Sequence, residues 1–345
     1  MQEKKFHLCG LGNALVDTLH SLSDAQFAAL GFKRSSYDMV SAEQQQEILA
    51  KLPSSEGALI SGGSVANSVI AAAQLGARAA FICCVGDDRY GLHFQEEFSR
   101  IGIALNTCVV PGAMTGVCLS MVTPDAERTM RTSLGISSHL SAEHVDEELV
   151  AQSEWLFIEG YVFANPKTGQ GAITRALEYA KRHKTKVAVT CSDTFIVQGF
   201  REPLEAAVAQ ADLLFANEGE ACALTGKNSA VQAFEALRTR LPNLVVTQGA
   251  KGVLVKANGH EGAVPAFACI PKDLTGAGDM LAGAFLYGFS QKLPIEQVTR
   301  SACYLAMKVI CHVGARLPHG VPEAWQESLR LSPGQSPVAQ ELRPA

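Results

Sequence analysis

The run Lys272-Asp273-Leu274-Thr275-Gly276-Ala277-Gly278-Asp279 holds the residue types that phosphoryl chemistry needs. Gly276, Ala277 and Gly278 leave backbone N–H groups bare just before the apolar helical run that opens at Met280. Unpaired amides and the helix dipole favour an anion there. A carboxylate would repel that anion, so Asp279 makes chemical sense facing an attacking hydroxyl while the amides face the transferring group. Placed so, it takes the hydroxyl proton as the bond to phosphorus forms. A plain helix-start acid is the alternative, but it does not need an anion nest in front of it. The pattern is that of a small-molecule kinase.

Other polar clusters sit where the chain turns. In Ser61-Gly62-Gly63-Ser64-Val65-Ala66-Asn67 the glycines permit close backbone approach, and Asn67 offers a donor and an acceptor to vicinal hydroxyls. Gly10-Leu11-Gly12-Asn13-Ala14-Leu15-Val16-Asp17 opens like a dinucleotide fingerprint, but Leu15 stands where its third glycine belongs. Asn13 and Asp17 are then expected to project toward a polar ligand; a capping acid is the bland reading of Asp17. Asn217-Glu218-Gly219-Glu220 follows an apolar strand, where open α/β sheets bind ligands. Glu220 suits Mg²⁺ held through water, while Asn217 also reads as an N-cap. Thr247, Gly249 and Gly252 end another strand and suit a nucleotide or a tight turn. There is no Walker A loop, no protein-kinase signature and no His/Cys run with metal-ligand spacing.

These residues need a rigid frame. Apolar strand-like runs at 6–12, 79–85, 155–158, 186–190, 213–216, 244–247 and 252–255 alternate with helical ones at 65–75, 93–101, 168–182, 230–240, 277–290 and 295–313. That alternation predicts an α/β fold, a mostly parallel sheet with helices on both faces. Two β-rich runs, 116–123 and 128–134, flank the turn Pro124-Asp125-Ala126-Glu127 and predict a hairpin projecting from the main sheet. Residues 23–51 fit neither pattern. Both stretches suit a lid that excludes water. The hairpin's Val117, Leu119, Met121 and Met130 are expected to form one apolar face over a purine. Residues 331–345 read as a disordered tail.

The chain has 345 residues, 47% hydrophobic and 18% charged, with a formal charge of −5. No basic footprint for nucleic acid and no membrane span is legible. Ten scattered cysteines without a C-x-x-C pair, and a start lacking a signal-peptide core, suggest a reduced, cytoplasmic protein.

Together the motifs resemble the ribokinase-like (pfkB) family of carbohydrate and nucleoside kinases over about residues 6–318. Gly12-Asn13-Ala14-Leu15-Val16-Asp17, the run from Val122 to Met130, and Ile158-Glu159-Gly160-Tyr161 are most similar to its adenosine-kinase branch. The resemblance implies a three-layer kinase domain over 1–330 with a lid from about 14–40 and 112–136. It implies that Asp17, Gly63 and Asn67, with Asn13 beside them, bind ribose hydroxyls, and that Tyr161 lies against the acceptor. Asp279 would be the base, residues 276–278 the anion hole, and Arg128 would swing to the transferring phosphate. Asn217 and Glu220 would order Mg²⁺; Thr247, Gly249 and Gly252 would line the ATP site, with Ala306 and Ile310 against adenine. Asp273, Thr275 and Gly314 would surround a monovalent cation such as K⁺. Departures fall at Val65, Leu274 and Thr190, where the family often carries smaller, hydroxylated or acidic residues. The expected function is phosphorylation of a nucleoside 5′-hydroxyl, adenosine first, by a monomer or homodimer; a sugar kinase of the same fold is the alternative.

Overall fold

The computed structural model describes residues 4–34, 36–52, 59–125 and 128–331. Its strands are β1 (Phe6–Leu11), β2 (Leu15–Ser21), β3 (Tyr37–Met39), β4 (Leu59–Gly62), β5 (Ala79–Gly86), β6 (Ala104–Val110) and β7 (Gly116–Val122). They continue with β8 (Arg128–Ser133), β9 (Ser153–Glu159), β10 (Lys186–Thr190), β11 (Leu213–Asn217), β12 (Asn243–Thr247), β13 (Val253–Ala257) and β14 (His260–Val264).

The large sheet runs β14-β13-β12-β11-β10-β9-β1-β5-β6, parallel from β12 to β6 with an antiparallel hairpin at the other edge. Alternating residues of each strand feed two cores, as a sheet buried on both faces requires. Phe81, Phe157 and Phe215 join the helices Ser64–Gln74, Ala277–Ser290 and Ile295–Ile310 on one side. Ile82, Leu156 and Leu214 join Gly169–His183 and Ala230–Arg238 on the other. This is the expected three-layer α/β architecture. The sequence reading missed edge strand β6 and hairpin strand β14. It also began one helix late: the helix starts at Arg89, because Asp88 caps it through Gly91 N–H at 2.8 Å.

The stretch 23–51 forms the helix Asp24–Leu30, the short strand β3 and the helix Ala42–Leu49. The hairpin β7–β8 does not extend the main sheet. It belongs to a second sheet, ordered β3-β8-β7-β2-β4, because β2 pairs in parallel with β7 and antiparallel with β4. The expected apolar lid face is also corrected. Val117, Leu119 and Met121 are fully buried and share a core with Phe27 and Ile48 of those two helices. Met130 pairs with Ser120, so it lies on the opposite face, with Tyr37 of β3 beside it. Of the turn at 124–127, residues 126 and 127 lie outside the described residues, as does the expected tail beyond Leu331.

Candidate active site

Asp279 occupies the first turn of Ala277–Ser290, whose start at Gly276 is capped by no side chain. Its carboxylate meets the first turn of Ser64–Gln74: Ser64 Oγ donates to Oδ1 at 2.7 Å and Asn67 Nδ2 to Oδ2 at 3.0 Å. Two glycines permit this. Gly283 lies one helical turn beyond Asp279, and a Cβ there would strike the Ser68 carbonyl oxygen, so the helices cross closer than side chains allow. Gly63 has φ +109°, and a Cβ would strike the Asn13 carbonyl oxygen.

Burial pushes the Asp279 carboxyl up to about 6; the Asn67 and Ser64 hydrogen bonds pull it down and the charge of Asp17 adds to the rise. It is thus ionised near neutrality and placed to accept a proton. Beneath it Glu159, 1% exposed, accepts from Val65 N–H at 3.1 Å and from Asn13 Nδ2 at 2.7 Å. Burial lifts Glu159 to about 7. The Asn13 amide thus donates to Glu159, and its Oδ1, like that of Asn67, is buried without a protein partner. Unpaired buried acceptors of this kind are costly unless something else fills them.

The small sheet closes the other side. Asp17 sits on β2 between Ile60 and Cys118. Burial raises its carboxyl to about 6, opposed by the charges of Arg128 and Arg316. Arg128, at the start of β8, donates through Nε to Ser120 at 3.0 Å and forms an ion pair with Asp273. Asp273 also accepts from Thr275 N–H at 3.0 Å and Gly314 N–H at 2.9 Å. The three residues expected around a cation are therefore adjacent, with the Asp273 carboxylate already engaged by Arg128 and two amides. Although burial opposes it, these hydrogen bonds and Arg128 hold Asp273 below its ordinary range.

Tyr161 lies in the turn after β9, its ring centroid 6.0 Å from that of Phe195. Burial raises its hydroxyl, and the charges of Asp193, Tyr37, Glu159 and Asp279 add to the effect.

A cavity of about 210 Å³ adjoins Asp279, lined among others by Ser64, Thr190, Asn217, Glu220, Thr247 and Gly278. Asn217 is a helix cap: its Oδ1 accepts from Glu220 N–H at 2.9 Å, and its own N–H and Nδ2 donate to the Glu220 carboxylate at 2.9 and 2.6 Å. Burial raises Glu220 to about 7. Gly249, Gly252, Ala306 and Ile310 do not line this cavity. Gly252 serves a tight junction, its N–H and carbonyl bonded to Gly249 and Gln248, and the Ile310 carbonyl accepts from Lys272 and Asp273 N–H.

Sequence reasoning assigned no role to Ser64, Glu159, Tyr37 or Phe195. The first two carried a signal: Ser64 and Asn67, three apart, must share a helix face, and Glu159 is a charge closing an apolar strand. Tyr37 and Phe195 carried none.

The pattern of pfkB family carbohydrate kinases matches residues 39–322. The ribokinase of Haemophilus influenzae is 30% identical over 250 residues, covering 69% of this chain and 77% of that protein. Adenosine kinase 2 of Arabidopsis thaliana is 23% identical, with 90% and 95% covered. The crystal structure of adenosine kinase from Sinorhizobium meliloti superposes with a TM-score of 0.83 at 29% identity, covering 94% of this chain and 99% of that one. Among the described residues no helix is long and apolar enough to cross a membrane. With a helix-start Asp oriented beside bare amides, and these likenesses along most of its length, the chain belongs to the pfkB family of carbohydrate kinases and is a kinase that phosphorylates an alcohol.

Proposed function

We propose that the acceptor is a nucleoside, phosphorylated at its 5′-hydroxyl, with adenosine the preferred substrate and ATP the donor. One observation carries the substrate class: aromatic and apolar side chains stand exposed around Asp17 and Asp279. Tyr37 (56% exposed), Met39 (52%), Leu19 and Ile60 occupy the same face of the small sheet as Asp17. Phe195 (50%) stands beside Tyr161. A free sugar gives such groups little to bury, whereas a purine supplies a flat, largely apolar surface.

In this reading Asp17 and the acceptor oxygen of Asn67 take the ribose hydroxyls. Asp279, oriented by Ser64 and Asn67, accepts the 5′-hydroxyl proton, and the amides at 276–278 receive the developing charge on the transferring group. Arg128 would leave Asp273 for that group as the small sheet closes, which is the lid role proposed for 14–40 and 112–136. ATP would place its phosphates beside Gly278, Thr247 and Asn217. The buried Glu220 carboxylate fits Mg²⁺ held through water, an ion that neutralises phosphate charge when bound. A K⁺ ion near Asp273, Thr275 and Gly314 belongs to the same proposal.

A coupled ADP-release assay across nucleosides and sugars tests it. The expectation is kcat/KM for adenosine at least ~10-fold above ribose or fructose, about 1.4 kcal/mol of transition-state discrimination. The second reading, a sugar kinase, is favoured by the likeness to ribokinase; a sugar turning over better than every nucleoside would establish it instead.

A further inference from the structure

Far along the sheet from Asp279, three soft or borderline metal ligands converge. Cys84 on β5 and Cys108 on edge strand β6 are register partners, so their side chains share one face of the sheet. Over them lies His144, at the end of a short turn in the connection that leaves β8. Its Nδ1 is 3.4 Å from Cys84 Sγ, and the two sulfurs and one ring nitrogen of His144 all lie within 4.8 Å of one another. Among the described residues, this is the group of three or more such side chains close enough to share an ion.

We propose that Cys84, Cys108 and His144 form a binding site for a single Zn²⁺ ion, separate from the kinase centre. The geometry is close to what the ion needs. Zn–S bonds near 2.3 Å and Zn–N bonds near 2.0–2.1 Å put sulfur and nitrogen about 3.6 Å apart, and two sulfurs about 3.8 Å apart, on a tetrahedron. The observed 3.4 Å is already such an edge.

The histidine is also in the tautomer that ligation requires. Ser141 N–H donates to Nδ1 at 3.1 Å, so the ring proton belongs on Nε2. Nε2 in turn lies 3.8 Å from the exposed Glu143 carboxylate, which a small side-chain rotation would bring to hydrogen-bond distance as the outer partner that metal-bound histidines usually have. Ser141 would have to release Nδ1 as the ion enters. Each thiol gives its proton to solvent as its sulfur takes the ion, and two thiolates cancel the double charge, which suits a site where Cys84 is only 1% exposed. Cys108 and His144 are part-exposed, leaving an entry path and room for a water as fourth ligand. Bound there, the ion would tie the connection from the small sheet to the edge of the large one.

The test uses the reduced, metal-free full chain without nucleotide. Co²⁺ serves as the spectroscopic probe, and Zn²⁺ affinity is read by competition with a chromogenic chelator. The expected result is one tight Zn²⁺ per chain and, with Co²⁺, tetrahedral bands plus thiolate-to-cobalt charge transfer. C108S should roughly halve the charge transfer; H144A should retain it. Both should weaken Zn²⁺ binding by at least ~10-fold, the lower end of what loss of even an outer partner does. C222S, a part-exposed cysteine elsewhere, should change neither. Circular dichroism checks the fold of each variant, and either folded variant alone is decisive. Absence of the charge-transfer band, or unchanged Zn²⁺ affinity in a folded C108S or H144A protein, would mean that Cys84 and His144 share only a hydrogen bond.

Discussion

The two walls of the candidate active-site cleft are built differently. On the large-sheet side the polar groups hydrogen-bond one another: Asp279 with Ser64 and Asn67, Glu159 with Asn13 and the Val65 amide. On the small-sheet side Arg128 reaches across to Asp273 of the body, and the side chains of Tyr37 and Met39 stand exposed. A wall held by mutual hydrogen bonds is preorganised, which is what a proton transfer requires. The other wall meets the body through Arg128 and Asp273 and through Ser61 and Glu97, and the ion pair across the cleft can exchange partners as entry and closure require.

If that contrast is right, the largest effect belongs to the preorganised wall. Asp279→Asn should lower kcat by ~10²–10⁴-fold, the usual consequence of losing a general base, with acceptor affinity within a few-fold. Steady-state kinetics reads this, and a variant with near wild-type kcat would remove Asp279 from the chemistry.

Next, the walls should separate in kinetic character. Asp17→Ala should raise the acceptor KM about 10-fold or more, as expected for hydrogen bonds to a charged group worth about 1.5–3 kcal/mol, with the ATP KM little changed. Asn67→Ala should lower kcat as well, because Asn67 Nδ2 also orients the Asp279 carboxylate. The same split between kcat and KM in both variants would erase the distinction.

A third expectation concerns stability. The folded-state Asp279 carboxyl is raised to about 6 from an ordinary value of 3.8. Between those values the folded chain binds more protons than the unfolded one, so ionising Asp279 destabilises the fold as pH rises toward 6. Asp279→Asn should therefore unfold at higher denaturant at pH 7.5, by about 1–2 kcal/mol. Asn67 can turn its unpaired Oδ1 toward the new amide. The gain should fade as pH falls from about 6 to about 4. Urea titrations at several pH values check the sign; an inactive variant that is also less stable at pH 7.5 would contradict it.

The smallest effect is a shift in the pH profile. Activity should fall below about pH 6, where Asp279 takes up its proton. The charge of Asp17 helps raise Asp279, so Asp17→Asn should move this acid limb to lower pH by a fraction of a unit. A limb that moves up, or does not move, would show that the two walls are not electrostatically linked.

Much of the frame was legible because strand and helix periods are local properties. The apolar runs of β1, β5 and β9–β12 alternate with helices, and that alone implied a sheet with two covered faces. The uncapped helix start with Asp279 in its first turn was legible for the same reason: its residues are neighbours in the chain. The hairpin shows the limit. Its strands were found, but not the sheet they join, nor that Val117 and Met130 face opposite ways, since register depends on the partner strand.

By itself, then, the sequence determined the α/β layering, the amide-rich helix start and the acid placed behind it. Only the tertiary structure decided what that acid meets. Asp279 lies more than two hundred residues from Ser64 and Asn67, and it reaches them because Gly283 lets two helices cross closely above the ends of a parallel sheet. Arg128 finds Asp273, and Glu159 finds Asn13, through the same topology. Local propensity sets which residues are helical or extended. Which side chains become neighbours follows from strand order and helix packing, and no periodicity along the chain records either.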